Sequence, residues 1–272
     1  MKGNEIIECL RLGKRVYGTL TVSTSPMWPK VVKSLGVDFV FIDTEHIPID
    51  RNQLSWMCVV YQNMNIAPIV RIPSPDPYLA SMVLDGGASG VIAPYVESVD
   101  QVLDLMGAVK NKPVKGSLLK DQLKTSNAFG AHLSSYIADS NKNNVLIVNI
   151  ESKKGIKALP EILEVEGLDG ILIGPHDLSC SLGNPENYQT PEFITTVDDI
   201  IEKARNKGKG VGIHMIYEDI ESELKWINLG ANIVLHGADL ISFKVHMNKT
   251  LSKLKRAVGD AGVDHESADI NI

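Results

Sequence analysis

The sequence predicts a single-domain α/β protein folded as a (β/α)8 barrel. Short apolar runs alternate with longer amphipathic segments along a chain of 272 residues, which is long enough for one domain with a large core. About eight such strand–helix units are typical of this barrel. A doubly wound open sheet is the competing fold, but it normally needs fewer units, and no Gly-x-Gly-x-x-Gly motif follows the first strand.

The predicted strands are short runs of apolar and β-branched residues, which suit strands buried on both faces. They cover residues 16–22, 38–43, 67–71, 89–93, 145–150, 169–173, 210–214 and 232–235. The predicted helices are the amphipathic segments at 27–35, 53–62, 77–85, 99–109, 153–163, 190–207, 220–229 and 239–258. Gly87 and Gly230 fall near the ends of two helices, where a left-handed C-cap favours glycine.

Two regions depart from this alternation. Residues 111–143 form a long polar connection, which we expect to be a loop or lid over the barrel mouth because it is too long for a simple βα loop. Residues 259–272 are polar and acidic and are expected to form a frayed tail. The expected organisation is therefore one barrel over residues 1–258, followed by this tail.

Composition argues against several partners and locations. The formal net charge of −6, the pI near 5.7 and the scattered basic residues argue against a nucleic-acid or membrane-surface partner. No apolar run approaches membrane-spanning length, and we recognise no signal peptide. Cys9, Cys58 and Cys180 are widely separated and lack zinc-binding spacing, so a reducing cytoplasm is the expected location.

Ionisable residues follow several predicted strands, at the end where (β/α)8 barrels carry their chemistry. Asp43, Glu45 and His46 follow the second strand, Arg71 ends the third, and Asp85 ends the helix after it. A carboxylate-oriented His46 is a suitable general base near neutral pH. Arg71 is suited to stabilise an enolate oxygen, or to form a structural ion pair with Asp43 or Glu45, and both roles are compatible.

Two further carboxylates follow neighbouring strands. Glu151 follows the fifth strand and Asp177 the sixth, so both are expected to project over the same mouth. Two carboxylates without thiolates or a histidine cluster suit a hard divalent cation such as Mg²⁺ or Mn²⁺. Taken singly, each would more often be the N-cap of the next helix, but as a pair they favour a metal site.

The segment from Gly174 to Ser179 is a tight turn entering a helix. Its backbone N–H groups would be free to hold a carboxylate, and Gly174 permits close approach of a ligand. We therefore expect Gly174, Pro175, His176 and Ser179 to bind substrate, with an ordinary βα turn as the alternative. His214 also ends a strand and is a further candidate to line the mouth.

These motifs together resemble those of the HpcH/HpaI aldolase family, the metal-dependent class II pyruvate aldolases. The resemblance extends from Gly18 to about Leu254 and includes the Glu-His and Gly-Pro-x-Asp-Leu-Ser elements in this order. The segments that carry it are residues 42–46, 70–71, 84–87, 150–151 and 172–179.

The resemblance implies a (β/α)8 barrel, a hexamer arranged as a trimer of dimers, and exchange of the last helix between subunits. It also implies reversible cleavage of a 4-hydroxy-2-oxo acid to pyruvate and an aldehyde. In that reaction Glu151 and Asp177 would hold Mg²⁺ or Mn²⁺. Arg71 would stabilise the enolate oxygen, and His46 would act as the base.

The remaining motif residues would have supporting roles under the same resemblance. Asp43 and Asp85 would orient His46 or Arg71, and Glu45 would assist them. Pyruvate would chelate the metal, and the turn after the sixth strand would help to fix its carboxylate.

Three positions depart from the family pattern. Asn149 stands where the family commonly has Gln, and this shorter amide reaches less far toward pyruvate. Lys115 and Gly116 stand where an Arg-Gly pair is common, and residues 117–120 (Ser-Leu-Leu-Lys) follow where the family commonly has a glycine-rich stretch. Leu20 or Thr21 stands at a position that is sometimes aromatic. We therefore expect that the metal and pyruvate half of the site is retained and that the aldehyde half is changed.

Three other functions remain compatible with the sequence. An acyl-CoA lyase of the citrate lyase β-subunit type needs a basic groove, for which Lys110, Lys112, Lys115 and Lys120 are the nearby candidates. A Schiff-base aldolase would use Lys115. A barrel that binds a keto acid without turning it over, or an assembly protein, is the non-catalytic alternative.

Overall fold

The computed structural model describes residues 1–125, 129–215 and 220–260, and it contains a closed barrel of eight parallel strands. Each strand pairs with the next in chain order, and the last closes the barrel against the first. The strands are β1 (Val16–Thr21), β2 (Phe39–Asp43), β3 (Ala67–Arg71), β4 (Gly90–Ala93), β5 (Val145–Asn149), β6 (Gly170–Ile173), β7 (Gly210–Met215) and β8 (Ile233–Ala238). The predicted fold is confirmed, and every predicted strand is present.

Helices cover the outside of the barrel and one of its ends. In the described ranges they are α1 (Gly3–Arg11), α2 (Trp28–Ser34), α3 (Arg51–Asn63), α4 (Pro77–Asp85), α5 (Val99–Lys110), α6 (Gly116–Thr125), α7 (Ala131–Asn141), α8 (Lys153–Ile162), α9 (Pro175–Leu182), α10 (Pro191–Asn206), α11 (Ile220–Leu229) and α12 (Asp239–Val258). Of these, α1, α6, α7 and α9 lie outside the predicted helices. Several of the other helices begin at an N-cap residue whose side chain accepts a hydrogen bond from a backbone N–H of the first turn. Asp50 caps α3 in this way, and Ser98 caps α5.

The barrel lumen is filled by side chains and closed at the end where the strands begin. Alternate residues of each strand face inward, as Phe39 and Phe41 do on β2. Ile6 and Leu10 of α1 belong to the same apolar cluster. A Cβ atom at Gly210, the first residue of β7, would lie 2.9 Å from the Leu10 side chain, so α1 packs directly against this end. Polar residues such as Asp43 and Asn149 lie at the opposite end, where the strands finish.

Residues 111–143 differ from the predicted loop over the mouth. Their described parts contain the helices α6 and α7. Lys110 ends α5 and pairs with Asp169, which directly precedes β6, over 2.6 Å. Two residues later, Lys112 pairs with Asp85 at the end of α4, also over 2.6 Å. The segment therefore leaves α5 on the side where the strands begin, which corrects the expectation.

The chain ends in the described part with α12, which stops at Val258 with Gly259 as a left-handed C-cap. Of the predicted tail at 259–272, residues 261–272 lie outside the described residues. None of the helices in the described ranges is long and apolar enough to cross a lipid bilayer.

Candidate active site

The strand ends bring most of the predicted site residues to the carboxyl-terminal mouth of the barrel. Asp43 is the last residue of β2 and pairs in register with Arg71, the last residue of β3. Asn149 ends β5, Glu151 follows two residues later, and Gly174 directly follows β6. The ends of four strands, β2, β3, β5 and β6, therefore contribute to one opening, as is typical of barrel enzymes.

Asp43 and Arg71 form a bidentate ion pair that is nearly closed to solvent. Arg71 Nε and Nη2 donate to the two Asp43 carboxylate oxygens over 2.8 and 2.7 Å, and Asp43 is fully buried. Burial alone would raise the pKa of Asp43, but the hydrogen bonds and charge of Arg71 outweigh it and lower this pKa. The predicted ion pair is thus present, and it fixes the direction of the guanidinium group.

Glu45 and His46 extend this network into the opening. Glu45 Oε2 lies 3.2 Å from Arg71 Nε and 3.7 Å from His46 Nε2. The backbone N–H groups of Glu45 and His46 donate to Asp43 over 2.9 and 3.3 Å. Burial, opposed by the charges of Arg71 and His46 and reinforced by those of Asp43 and Asp177, raises the pKa of Glu45. The half-exposed His46 ring is therefore held beside a carboxylate and is open to a ligand.

Glu151 is a buried carboxylate whose two oxygens are both oriented by hydrogen bonds. The backbone N–H of Tyr95 donates to Oε1 over 2.6 Å, and Asn149 Nδ2 donates to Oε2 over 3.1 Å. The pKa of Glu151 is raised to about 7, chiefly by burial and further by the charge of Asp177, against the opposing effects of the Tyr95 N–H and Arg71. A carboxyl group with a pKa near neutral pH is suited to release its proton when a cation binds.

Two backbone features hold the Glu151 carboxylate in place. Tyr95 has a φ of +50°, which is unusual for a residue with a side chain, and this turn directs its N–H at the carboxylate. Gly174 is so close that a Cβ atom there would come within 2.0 Å of Glu151 Oε2. Sequence reasoning missed Tyr95, because a turn residue that acts through its backbone leaves no side-chain signal.

The amino-terminal end of α9 faces the same opening. Gly174 is its N-cap, Pro175 occupies the first helical position, and Asp177 lies in the first turn. Within the described part of the chain no side chain caps this end. The first-turn N–H groups therefore remain for an anion such as a substrate carboxylate.

Glu151 and Asp177 fit the predicted divalent cation. The charge of Asp177 contributes to the raised pKa of Glu151, and a cation between the two carboxylates would remove this repulsion. Among the residues that the structure describes, no group of three or more His, Cys, Asp or Glu side chains is arranged to hold a metal ion. A pair of carboxylates that leaves positions for water and substrate oxygens is a common arrangement for Mg²⁺.

The side chains of His176 and Ser179 contact residues of α9 and of the segment that follows it. The Ser179 hydroxyl donates to the His176 carbonyl oxygen over 2.7 Å and accepts from the Glu186 N–H over 2.9 Å. The exposed His176 ring lies 3.8 Å from the Glu186 carboxylate and 4.0 Å from Cys180 Sγ. The hydroxyl of Ser179 thus holds the turn, and its binding of substrate stays a prediction.

Asp85 and Lys115 lie away from the mouth within one chain. The Asp85 carboxylate at the end of α4 pairs with Lys112, so it does not orient His46 or Arg71 as expected. Lys115 lies between α5 and α6, five residues after a lysine that is anchored where β6 begins. The lysine considered for a Schiff base therefore does not follow a strand end.

His214 lies in the lumen near Arg71. Its ring packs edge-on against Phe41 with centroids 5.3 Å apart, and the guanidinium carbon of Arg71 lies 5.3 Å from the centre of the same Phe41 ring. Burial, and then the positive charge of Arg71, lower the pKa of His214 to about 3, so the imidazole is neutral. Its place in β7 confirms that His214 belongs to the site end of the barrel.

The eight-stranded barrel, with two carboxylates and a partly buried arginine at its mouth, defines a barrel enzyme with its site at the strand ends. Residues 19–245 match the HpcH/HpaI aldolase/citrate lyase family. The chain belongs to this family, and its relatives identify it as an enzyme of the aldolase type.

Relatives and solved structures agree with this assignment over nearly the whole chain. The hydroxypyruvate/pyruvate aldolase of Roseovarius nubinhibens is 31% identical over 252 residues, which are 92% of this chain and 96% of that protein. The 5-keto-4-deoxy-D-glucarate aldolase of Salmonella paratyphi C is 31% identical over 88% of this chain and 92% of its own. The crystal structure of the citrate synthase SbnG is 29% identical with a TM-score of 0.79, covering 93% of this chain and 98% of that one.

Proposed function

We propose that the protein is a divalent-metal-dependent carbon–carbon lyase that reversibly cleaves a 4-hydroxy-2-oxo acid to pyruvate, or a related 2-oxo acid, and an aldehyde. The observation that carries this proposal is the buried Glu151 carboxylate, whose pKa is raised to about 7 beside Asp177. Aldolases with 31% identity, named for hydroxypyruvate, pyruvate and 5-keto-4-deoxy-D-glucarate, support the reaction type and a small-molecule substrate.

Glu151 and Asp177 would hold Mg²⁺ or Mn²⁺ at the mouth. Bound there, the cation would supply Lewis acidity toward the 2-oxo acid. The Tyr95 N–H and Asn149 Nδ2 keep the Glu151 oxygens in one orientation before any ligand arrives. The first-turn N–H groups of α9 bind the carboxylate end of the substrate.

Arg71 stabilises the negative charge that develops on the 2-oxo oxygen as the carbon–carbon bond breaks. Its guanidinium group is held by Asp43 through two hydrogen bonds of 2.8 and 2.7 Å. Because this orientation exists before the substrate binds, the charge is met without rearrangement of the side chain.

His46 moves the proton. In the cleavage direction the hydroxyl proton on carbon 4 passes to His46 Nε2, and the bond between carbons 3 and 4 breaks. The electron pair of the broken bond forms the enolate of the 2-oxo acid, and the aldehyde leaves. His46 then returns the proton to carbon 3 of the enolate. Glu45, whose carboxylate lies 3.7 Å from Nε2, stabilises the imidazolium between these two transfers.

The likeness to a citrate synthase supports a second candidate, a reaction of an acyl-CoA with a keto acid. Such a substrate needs cationic groups near the mouth for the CoA phosphates. Lys110 and Lys112 instead pair with Asp169 and Asp85 where the strands begin. The aldolase proposal therefore has the better support from the site.

Proton–deuterium exchange at the methyl group of pyruvate, followed by NMR, tests the proposed half-reaction. We expect exchange with Mg²⁺ or Mn²⁺ and its loss with EDTA. Arg71→Lys and His46→Gln should each lower the rate at least about 100-fold, because each removes a group placed for one step. Arg51 and His132 are exposed residues outside the site. Arg51→Lys and His132→Gln are therefore the matched controls for Arg71→Lys and His46→Gln.

The alternatives give different outcomes in the same samples. Binding of metal and pyruvate without exchange would favour the non-catalytic barrel. Exchange that survives EDTA, with borohydride trapping of pyruvate on a lysine, would favour a Schiff base. Citrate formation from oxaloacetate and acetyl-CoA would favour the second candidate.

We also propose that the protein self-associates, as a hexamer if it follows the family that it resembles. The helix α12 carries an apolar stripe, hereafter the α12 stripe, whose members recur every three or four residues. Its members are Leu240, Phe243, Met247, Leu251, Leu254 and Val258. Phe243 and Leu254 are 64% and 63% exposed in the single chain, and a second copy would cover them.

A further inference from the structure

Tyr95 is an exposed residue in an otherwise buried turn at the mouth of the barrel. The other members of residues 91–96, which cover the end of β4 and the turn after it, are buried, whereas Tyr95 is 44% exposed. The Tyr95 N–H donates to Glu151 over 2.6 Å, and the Val96 N–H donates to the Asn149 carbonyl oxygen over 3.3 Å. The backbone that carries the phenol ring is therefore fixed against the site.

The contact of this turn with Glu151 does not need a side chain at position 95. Glycine adopts a φ of +50° without strain and would offer the same N–H to Glu151, whereas tyrosine is strained there. Residues held in such strained conformations cluster at active sites and ligand clamps. The presence of tyrosine where glycine would suffice therefore indicates a use for the phenol ring.

The Tyr95 phenol lies beside the two carboxylates that we propose as metal ligands. Burial, followed by the charges of Asp177 and Glu151, raises the pKa of this phenol above its usual value. The hydroxyl group thus keeps its proton at neutral pH and can both donate and accept a hydrogen bond.

The proposed reaction leaves one part of the substrate without a partner. The first turn of α9 binds the carboxylate, Arg71 meets the 2-oxo oxygen, and His46 takes the proton of the hydroxyl on carbon 4. The substituents of the aldehyde beyond carbon 4 have no such partner among these groups. Because Tyr95 is half-exposed at the rim, it lies where the component that enters last and leaves first, the aldehyde, must pass.

We propose that Tyr95 selects the aldehyde: its hydroxyl bonds to a hydroxyl group on the carbon next to the aldehyde carbonyl, which is carbon 5 of the cleaved acid. Two hydroxyl groups match because each can donate and accept. Lys154, a cation near this wall, is matched by Glu97 over 3.3 Å, so it does not favour a carboxylate over a hydroxyl. This inference rests on the proposed function and adds a specificity residue to it.

Aldol addition of pyruvate to glycolaldehyde and to acetaldehyde, with Mg²⁺, tests the inference, since these aldehydes differ only in that hydroxyl group. Tyr95→Phe should lower the ratio of kcat/KM for glycolaldehyde to kcat/KM for acetaldehyde about fivefold, as expected for one neutral hydrogen bond. Tyr95→Gly, which keeps the N–H bond to Glu151, should lower the ratio as far. Tyr136→Phe, at a tyrosine of α7 that is 54% exposed, should leave the ratio unchanged.

The ratio separates a lost contact from a damaged site, because displacement of Glu151 would slow addition to both aldehydes alike. A ratio that Tyr95→Phe leaves unchanged, or that Tyr136→Phe lowers equally, would overturn the inference. A greater loss toward glyoxylate, which carries a carboxylate in place of the hydroxymethyl group, would overturn it in favour of an anion.

The proposed function has its own readout in the same samples, the metal-dependent exchange of the pyruvate methyl protons. Exchange with an unchanged ratio, or exchange without addition to either aldehyde, would contradict only the role of Tyr95. Absence of exchange in the wild type would contradict the aldolase and this role with it.

Discussion

Gly174 is in direct contact with Glu151, since a Cβ atom at position 174 would lie 2.0 Å from Glu151 Oε2. The first turn of α9 and the carboxylate after β5 therefore form one packed unit. The glycine leaves the room that the carboxylate occupies, and the carboxylate in turn fixes how closely α9 approaches the mouth.

Gly174→Ala should separate these two groups. We expect a loss of about 1–3 kcal/mol in the free energy of unfolding from overpacking, and at least a tenfold weaker affinity for Mn²⁺ because Glu151 must move. Urea unfolding and calorimetric titration measure the two effects. Gly130→Ala is the matched control, because its Cβ would meet nothing within 4 Å and its φ of −52° suits alanine. Equal Mn²⁺ affinity in both variants would contradict the proposed role of Glu151.

The raised pKa of Glu151 predicts how stability changes with pH. Because the pKa rises from 4.5 to about 7 on folding, the folded protein holds this proton more tightly than the unfolded chain does. This contribution is fully present below pH 4.5 and is lost as the pH rises to about 7. Without metal, the wild type should lose about 1–3 kcal/mol over this range relative to Glu151→Gln.

Addition of Mg²⁺ or Mn²⁺ should reverse this trend, because the cation needs the ionised carboxylate. Stabilisation by metal should be small at pH 5 and large at pH 8, and it should be absent in Glu151→Gln. Thermal unfolding with and without EDTA at both pH values measures it. Equal stabilisation of wild type and variant would place the cation elsewhere.

The strained turn at Tyr95 predicts an unusual order of variants. Tyr95 has a φ of +50° and is 44% exposed, so Tyr95→Gly removes strain and only part of the packing, while it keeps the N–H bond to Glu151. We expect the stability of this variant to match or exceed that of the wild type. Tyr95→Val should cost about 1–2 kcal/mol, because a β-branched residue resists positive φ. Urea unfolding that ranks the two variants alike would show that this strain is unimportant.

The α12 stripe predicts dependence of assembly on one face of the last helix. Phe243→Glu together with Leu254→Glu should dissociate the oligomer, because charges would replace the apolar contact. Lys249→Glu lies on the opposite face of α12 and should leave the assembly intact. Light scattering coupled to size-exclusion chromatography gives the masses. A monomeric wild type, or an intact assembly in the double variant, would argue against this interface.

Much of the fold follows from short-range pattern. The apolar runs are interrupted by amphipathic helices at regular intervals, and parallel strands in a chain of this length close into a barrel. The extra helices α6 and α7 escaped prediction because their segment is polar, and polar helices carry a weak periodic signal. Their location beside α5, rather than over the mouth, depends on contacts such as Lys112 to Asp85.

The sequence by itself determined the family, the barrel and the positions of Asp43, Arg71, Glu151 and Asp177 after their strands, because chemistry at strand ends is a local property of chain order. The tertiary structure decided which groups meet. It paired Arg71 with Asp43 and took Asp85 away from both. It also aimed the Tyr95 backbone at Glu151, and it placed the His214 ring and Arg71 against the same Phe41 ring. These relations depend on backbone angles and on distances between strands, which side-chain identity does not encode.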